Sequence, residues 1–477
     1  MTPDPTPPRG YSPTQLLALA GGPLAFALIA LGGWPAELSD PARYTLAATA
    51  WMALWWVSDA VPMAMTALLP IVLFPLCGIL DARTTARAYA HPMLFLFLGG
   101  FIVARAMEVV DLHRRLALGI VLRLGGSPAR VLLGFIVATA ALSAWISNTA
   151  TTVMMAPLAV ATAAYLGLDA RGRPASLPLL LGVAYAASIG GLATLIGTPT
   201  NGIFASVASE RYGVTYGFAE WLLIGVPVVL VLLGVLYVYL ARASGLHRRR
   251  STDAVQQVRA AFARLGAVRP AERRVAVVFG AMAAAWSTRR LYEAYLPLTD
   301  EAIAVIGATL LFVLPGERPN GRLLDWDAAR TVPWGVLVLF AGGLALAAGF
   351  SESGLAAYLG ERLTAVGNLP LPLVLLIVVA FVNFLTEVTS NVATASVLLP
   401  VIAEMAERTD HDPVALMAAA TLAASCAFML PVATAPNAIV FGSGELTVAH
   451  MVRRGFALNV ASILVIAVWA YALSLIR

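Results

Sequence analysis

Two short polar stretches, residues 144–151 and 387–394, interrupt long apolar runs and carry the side chains best suited to binding ions. Each contains a Ser-Asn step, at 147–148 and at 390–391. Hydroxyls and free carbonyls at the end of a helix suit a small cation such as Na⁺, whereas Asn amides and free helix N–H groups suit an anion. The two stretches therefore indicate that an anion and cations bind together.

The side chains in these stretches divide into two candidate sets. Each hydroxyl pair lies four residues apart and therefore on one helix face, which predicts two oxygen-rich cation sites. These pairs are Ser143 with Ser147 and Thr386 with Ser390. The candidate anion ligands are Asn148, Thr149 and Asn391 in the stretches, with Thr198 and Thr434 at two later interruptions.

The charges near these residues also point to bound cations. Neither the stretches nor the interruptions contain Arg, Lys or His. Removing one carboxylate from water costs several kcal/mol, so a dianion held there needs bound cations for compensation. The alternative is that Ser, Thr and Asn only join helices inside a membrane. Two matching stretches, each followed by an interrupted helix, favour a binding site.

The elements that hold these stretches are too short to cross a bilayer. Residues 131–146 would form a helix of roughly 24 Å, against a hydrocarbon core of about 30 Å. Two such arms predict a re-entrant hairpin at 131–166, with a second at 371–406. Irregular backbone at that depth is tolerated where it lines a protein-walled cavity, so each hairpin tip should mark a binding site.

The two hairpins belong to an internal repeat. The pairs Gly99-Gly100 and Gly342-Gly343, the two Ser-Asn steps, and Pro157 and Pro400 all share one offset along the chain. A broken helix follows each hairpin, at 177–208 and at 413–443. Matching interrupted segments in two halves are typical of secondary transporters.

Composition and charge define the class of protein. With 60% hydrophobic and 12% charged residues, the chain is predicted to be a polytopic membrane protein. All 31 of its Lys and Arg positions are Arg, and most of them fall between apolar segments, so nucleic acid is not an expected partner. The two cysteines support neither a disulfide framework nor a thiolate metal site. No His-Glu-x-x-His motif or catalytic Asp pair is present, so an enzyme is not expected.

Apolar segments predict about eleven transmembrane helices besides the two hairpins. The spans outside the hairpins and broken helices are 15–33, 43–57, 60–79, 92–110, 221–242, 270–288, 300–315, 333–350 and 456–475. With the N-terminus in the cytoplasm and the C-terminus outside, 21 of the 31 Arg residues lie on the inner side and 9 on the outer side. Five crossings separate the hairpins, so they open to opposite faces and the repeat is inverted.

The chain divides into a disordered cytoplasmic tail (1–14), an N-terminal half (15–242), a cytoplasmic linker (243–269) and a C-terminal half (270–477). The linker contains a predicted interfacial helix at 252–265. Arg105 and Glu108, three residues apart in one span, can form an ion pair. A structural pair is the favoured interpretation, and a substrate contact is the alternative.

The paired motifs resemble the divalent anion/sodium symporter family of di- and tricarboxylate transporters. The motifs are the two hairpin tips, the segments 196–201 and 433–437, and the stretch from Trp55 through Pro62 to Pro70. The resemblance covers nearly the whole chain. It implies a homodimer in a plasma membrane, in bacteria the inner membrane, whose transport domain slides as an elevator between fixed scaffold domains.

The resemblance also assigns roles to individual residues. It implies one sodium site at Ser143, Ser147, Asn148 and Gly197, and a second at Thr386, Ser390, Asn391 and Ala433. It places Asn148, Thr149, Thr198, Asn391, Val392, Thr434 and Ala435 at the substrate. Three positions depart from the family pattern: Val392 replaces a Thr found in some members, Ala435 a common Pro, and Asp59 the usual Glu.

The leading hypothesis is a symporter that couples Na⁺, at two sites or more, to C4-dicarboxylates of the succinate, malate and fumarate class. An exchanger, or a sulfate or citrate transporter of the same superfamily, is the alternative. Proton coupling would require Glu387, for which a structural role is favoured. An ion channel is disfavoured because hairpins that open to opposite faces suit alternating access rather than a continuous pore.

Overall fold

The computed structural model describes residues 11–32, 35–166, 176–246, 253–317 and 321–476, and the named elements in these ranges are all helices. The predicted all-α class is confirmed. The predicted tail lies mostly outside the described residues, and the first helix begins at Pro13 with Ser12 as its cap.

The first half of the chain contains twelve of the described helices. They are α1 (Pro13–Leu31), α2 (Asp40–Ser58), α3 (Met63–Thr66), α4 (Leu69–Leu76), α5 (Ala82–Ala88), α6 (Pro92–Val109), α7 (Leu112–Leu124), α8 (Pro128–Ser143), α9 (Asn148–Leu166), α10 (Ser176–Gly191), α11 (Pro199–Tyr212) and α12 (Phe218–Ser244).

The described part of the linker and the second half contain thirteen more helices. They are α13 (Asp253–Ala263), α14 (Pro270–Ser287), α15 (Arg289–Tyr292), α16 (Asp300–Val313), α17 (Trp326–Ala329), α18 (Trp334–Glu352), α19 (Leu355–Arg362), α20 (Thr364–Gly367), α21 (Leu371–Leu385), α22 (Asn391–Arg408), α23 (Pro413–Ala424), α24 (Ala435–Gly442) and α25 (Val448–Ile476).

Within the described ranges, five helical segments are long and apolar enough to cross a membrane alone: 13–31, 82–109, 218–244, 334–352 and 448–476. The first arms of both hairpins and of both broken helices are shorter apolar helices. The short arms agree with the sequence analysis, while the total of eleven crossings stays a prediction.

The segment predicted as a single span at 60–79 is not one continuous helix, because it forms two short helices, α3 and α4. Pro70 lies in the first turn of α4, where the N–H group that it lacks would have no partner within the helix. The side chain of Tyr89 donates a hydrogen bond of 2.6 Å to the Ala67 carbonyl at the break. The Ala67 carbonyl at the break therefore has a hydrogen-bond donor.

The helix predicted in the linker is α13, and it packs against α7 and α9. Its Val258 is fully buried. The apolar face that the sequence assigned to the membrane surface is thus covered at Val258 by protein.

The two halves exchange elements across an internal pseudo-symmetry. Helix α11 packs against α22 and α23, and α24 packs against α9 and α10. The repeated glycines follow the same exchange: a Cβ at Gly99 would lie 2.6 Å from Ala304, and one at Gly342 would lie 2.2 Å from the Ala67 carbonyl oxygen. Each half therefore completes the other, and only glycine allows these close approaches.

Candidate functional site

The hairpin tips have the same construction in both halves. Helix α8 ends at Ser143 and α9 begins at Asn148, while α21 ends at Leu385 and α22 begins at Asn391. Helix α10 packs against both arms of the first hairpin, and α23 packs against both arms of the second. The Asn of each Ser-Asn step thus stands at a helix N-terminus, where backbone N–H groups are free.

Each tip gathers three oxygen atoms around a single hydroxyl hydrogen. Ser143 Oγ lies 2.6 Å from Asn148 Oδ1 and 2.8 Å from the Ala187 carbonyl oxygen. In the second half, Thr386 Oγ1 lies 2.8 Å from Asn391 Oδ1 and 2.7 Å from the Ala424 carbonyl oxygen. A hydroxyl donates only one hydrogen, so at least one acceptor in each cluster lacks a donor from it. A cation would satisfy all three oxygens.

The two broken helices are stabilised by the same kind of hydrogen bonds. Asn201 Nδ2 donates to the carbonyls of Gly191, at 3.1 Å, and Thr194, at 2.8 Å. Asn437 Nδ2 donates to those of Ala427, at 3.2 Å, and Leu430, at 3.0 Å. These two Asn side chains brace the unwound segments, and the sequence analysis did not select them. The sequence feature that could have identified them is an Asn at the same place, the last residue, in each of the two matching interrupted segments.

One cavity of about 670 Å³ lies between the tips and the breaks. Eleven of the predicted site residues line it: Ser147, Asn148, Thr149, Gly197, Thr198, Ser390, Asn391, Val392, Ala433, Thr434 and Ala435. Ser143 and Thr386 are fully buried and lie behind the Asn side chains that they contact. The structure thus brings both predicted sets together around one space.

The two sides of the cavity differ. Thr149 is exposed to it, whereas Val392 is only 6% exposed and packs near Gly343 of α18. A Cβ at Gly197 would lie 2.4 Å from the Gly191 carbonyl oxygen, while the second half carries Ala433 at the corresponding place. The first half is therefore more tightly packed around its break.

One wall of the cavity was not predicted from the sequence. Residues 56–59 and Met63, from the end of α2 and the start of α3, line it together with Phe101 of α6. Asp59 adopts a left-handed conformation, with φ of 49°. Among the described residues that line the cavity, it is the only charged one. The motif from Trp55 to Pro62 was the available signal, but it did not show which residues reach the cavity.

The fold and the site define a class of protein. An all-helical chain with membrane-length apolar helices and two duplicated, unwound segments around a polar cavity is typical of secondary transporters. The family model described as "Citrate transporter" matches residues 53–423. The chain belongs to this family, and the resemblance to the divalent anion/sodium symporters is confirmed.

Curated relatives are similar over nearly their whole length. The sodium-dependent dicarboxylate transporter SdcS of Staphylococcus saprophyticus is 41% identical, with 98% of this chain and 92% of the relative aligned. The protein of the same name from Staphylococcus aureus strain USA300 is also 41% identical, over 97% of this chain and 92% of the relative.

Two solved structures share the fold. The YdaH transporter of Alcanivorax borkumensis superposes with a TM-score of 0.58 at 15% identity, over 96% of this chain and 97% of the other. MtrF of Neisseria gonorrhoeae gives a TM-score of 0.54 at 13% identity, over 92% of this chain and 96% of the other. At such low identity the likeness concerns the fold alone.

Proposed function

We propose that this protein is a sodium-coupled symporter of C4-dicarboxylates of the succinate, malate and fumarate class. The observation that carries the proposal is the pair of three-oxygen clusters beside a cavity that has no basic side chain among its described lining residues. A dianion in such a cavity requires cations for charge compensation, and the clusters offer two places for them. In the proposal Na⁺ is transported together with the dicarboxylate, so it is a second substrate.

The roles proposed for individual residues are those that the family resemblance implies. In the proposal one Na⁺ binds at Ser143, Ser147, Asn148 and Gly197, and another binds at Thr386, Ser390, Asn391 and Ala433. The carboxylates then meet the amides of the two Asn residues and the N-termini of α9, α11, α22 and α24. Thr149, Thr198, Val392, Thr434 and Ala435 complete the substrate contacts.

The relatives support this substrate class, since both are named as sodium-dependent dicarboxylate transporters. The name of the family model favours citrate as a second candidate. Within the proposal the protein is a homodimer in a bacterial plasma membrane with its N-terminus inside, and it moves its substrate as an elevator. The resemblance supports the dimer and the elevator, and the Arg distribution supports the orientation.

The test is uptake of labelled succinate into vesicles that contain the purified protein. An inward sodium gradient should drive uptake, and choline in place of sodium should abolish it. Each Na⁺ beyond two would add a net charge, so uptake would then also respond to voltage, by about 2.3 kcal/mol per charge per 100 mV. Uptake that is unchanged in choline would contradict sodium coupling, and competition by malate, fumarate, sulfate and citrate ranks the substrates.

A further inference from the structure

A second cavity lies next to the proposed substrate site. Its volume is about 300 Å³, and it is bounded by α6, the first hairpin tip and the turn that leads into α18. Phe101, Ser147, Thr149 and Val336 line both cavities. The two cavities are therefore neighbours, and Thr149 lies between them.

Within the part of the chain that the structure describes, Arg105 is the only basic residue that lines either cavity. Its Nη1 lies 2.8 Å from Glu108 Oε2, while its Nε is buried and has no hydrogen-bond partner among the described residues. The side chains of Arg105 and Glu108 are 35% and 23% exposed, and both line the second cavity. The guanidinium thus retains a donor that its ion pair does not use.

We propose that Arg105 forms a transient binding site for a carboxylate on the way out of the substrate cavity. This inference rests on the proposed function. Arginine presents a planar set of donors that fits a carboxylate, and Glu108 already occupies part of that set. The substrate must compete with Glu108, so Glu108 keeps the site weak and allows the anion to leave.

The two sites differ in their need for sodium. The tip site has no cation of its own, whereas Arg105 carries a permanent charge. A carboxylate at Arg105 should therefore bind without Na⁺ once its internal competitor is removed. A purely structural ion pair, the interpretation favoured by the sequence, has no such property.

The experiment measures binding of labelled succinate to the purified full-length protein in choline and in sodium. In choline, Glu108→Gln should bind succinate at least about three- to tenfold more tightly than the wild type, and the double variant Arg105→Gln/Glu108→Gln should lose this gain. Arg105→Gln alone should show no gain of binding in choline over the wild type. Asp40→Asn, which breaks the Arg43–Asp40 pair of the same spacing outside both cavities, is the matched control and should behave as the wild type.

The outcomes separate this inference from the proposed function. Sodium-driven uptake by the wild type tests the function, and binding in choline tests the site. If the Glu108→Gln protein elutes as a single folded species and binds succinate in choline no better than the wild type, the site at Arg105 is refuted. A gain that persists in the double variant would also refute it, since the added binding would then not involve Arg105.

Discussion

One Asn side chain in each half connects the two kinds of ligand. Asn148 Oδ1 belongs to the oxygen cluster around Ser143, and Asn391 Oδ1 belongs to the cluster around Thr386. Both side chains also line the cavity, where their amide nitrogens can donate to an anion. Because one side chain would serve both ligands, the binding of sodium and substrate should be thermodynamically coupled.

Replacing either Asn with Ala should therefore abolish transport. Asn148→Ala and Asn391→Ala each remove one cluster oxygen and one cavity donor, at a cost of about 1–3 kcal/mol for each ligand. Sodium-driven succinate uptake should fall to background while the protein still purifies as a folded species. Asn368→Ala, at an exposed position outside the cavity, is the control. Wild-type uptake in either cavity variant would support the interpretation that these residues only join helices.

The asymmetry between Thr149 and Val392 should affect substrate choice. Val392→Thr adds a hydroxyl to the second side of the cavity and should change affinities among dicarboxylates and citrate by about 0.5–1.5 kcal/mol. Thr149→Val should weaken binding of all of them, because it removes the hydroxyl of the exposed side chain at the first tip. Sodium dependence should be unchanged in both variants. Competition assays measure the ranking, and an unaltered ranking in Val392→Thr would exclude a substrate contact there.

At the scale of elements, the two breaks are anchored differently. The Glu387 carboxylate is buried and accepts hydrogen bonds from the backbone N–H groups of residues 428, 429 and 430 and from Asn459 Nδ2. In the first half, Thr194 donates to the Ala144 carbonyl, and Trp221 Nε1 donates to the Leu192 carbonyl at 2.9 Å. Glu387 is thus an acceptor that holds the second unwound segment, which supports its structural role.

Glu387→Gln should therefore damage the second break. The new amide group would face N–H donors and leave at least one of them without an acceptor, at a cost of about 1–3 kcal/mol. The thermal unfolding midpoint and succinate uptake should both fall, whereas Glu361→Gln, at an exposed position in α19, should change neither. A variant of normal stability that loses only a response to a proton gradient would instead make Glu387 a proton carrier.

At the scale of the whole molecule, the halves are interlocked rather than placed side by side. Gly99 of the first half packs against Ala304 of the second, and Gly342 of the second packs against Ala67 of the first. The second arms of the broken helices are exchanged in the same way. Residues from both halves therefore form one cavity, and a change in either half should alter the whole site.

The predicted inversion of the repeat can be tested by labelling. In a background without Cys77 and Cys426, Arg130→Cys marks the start of the first hairpin and Asn368→Cys lies just before the second. Both positions are exposed. A maleimide that cannot cross membranes should label Asn368→Cys from outside intact cells, and it should label Arg130→Cys only after the cells are opened. Labelling of both from one side would contradict the inverted topology.

Much of the site could be predicted from the sequence because membrane-buried polar residues carry a large energetic cost and therefore stand out. Ser-Asn steps within apolar runs, repeated at a constant offset, predicted both tips and both breaks. The Ser-Asn steps also indicated where the second arm of each hairpin begins, and Asn148 and Asn391 are the first residues of α9 and α22. The all-helical class followed from composition, because backbone groups in lipid must be satisfied within each segment.

Tertiary structure alone decided which distant residues meet. No local pattern showed that Asp59 lines the cavity, that Glu387 caps the unwound segment around residue 429, or that Arg105 lies beside the first tip. The covering of α13 by the first hairpin likewise depends on packing between separate parts of the chain. Sequence periodicity identifies which face of a helix is apolar, whereas the partner of that face is determined by the fit of all the helices together.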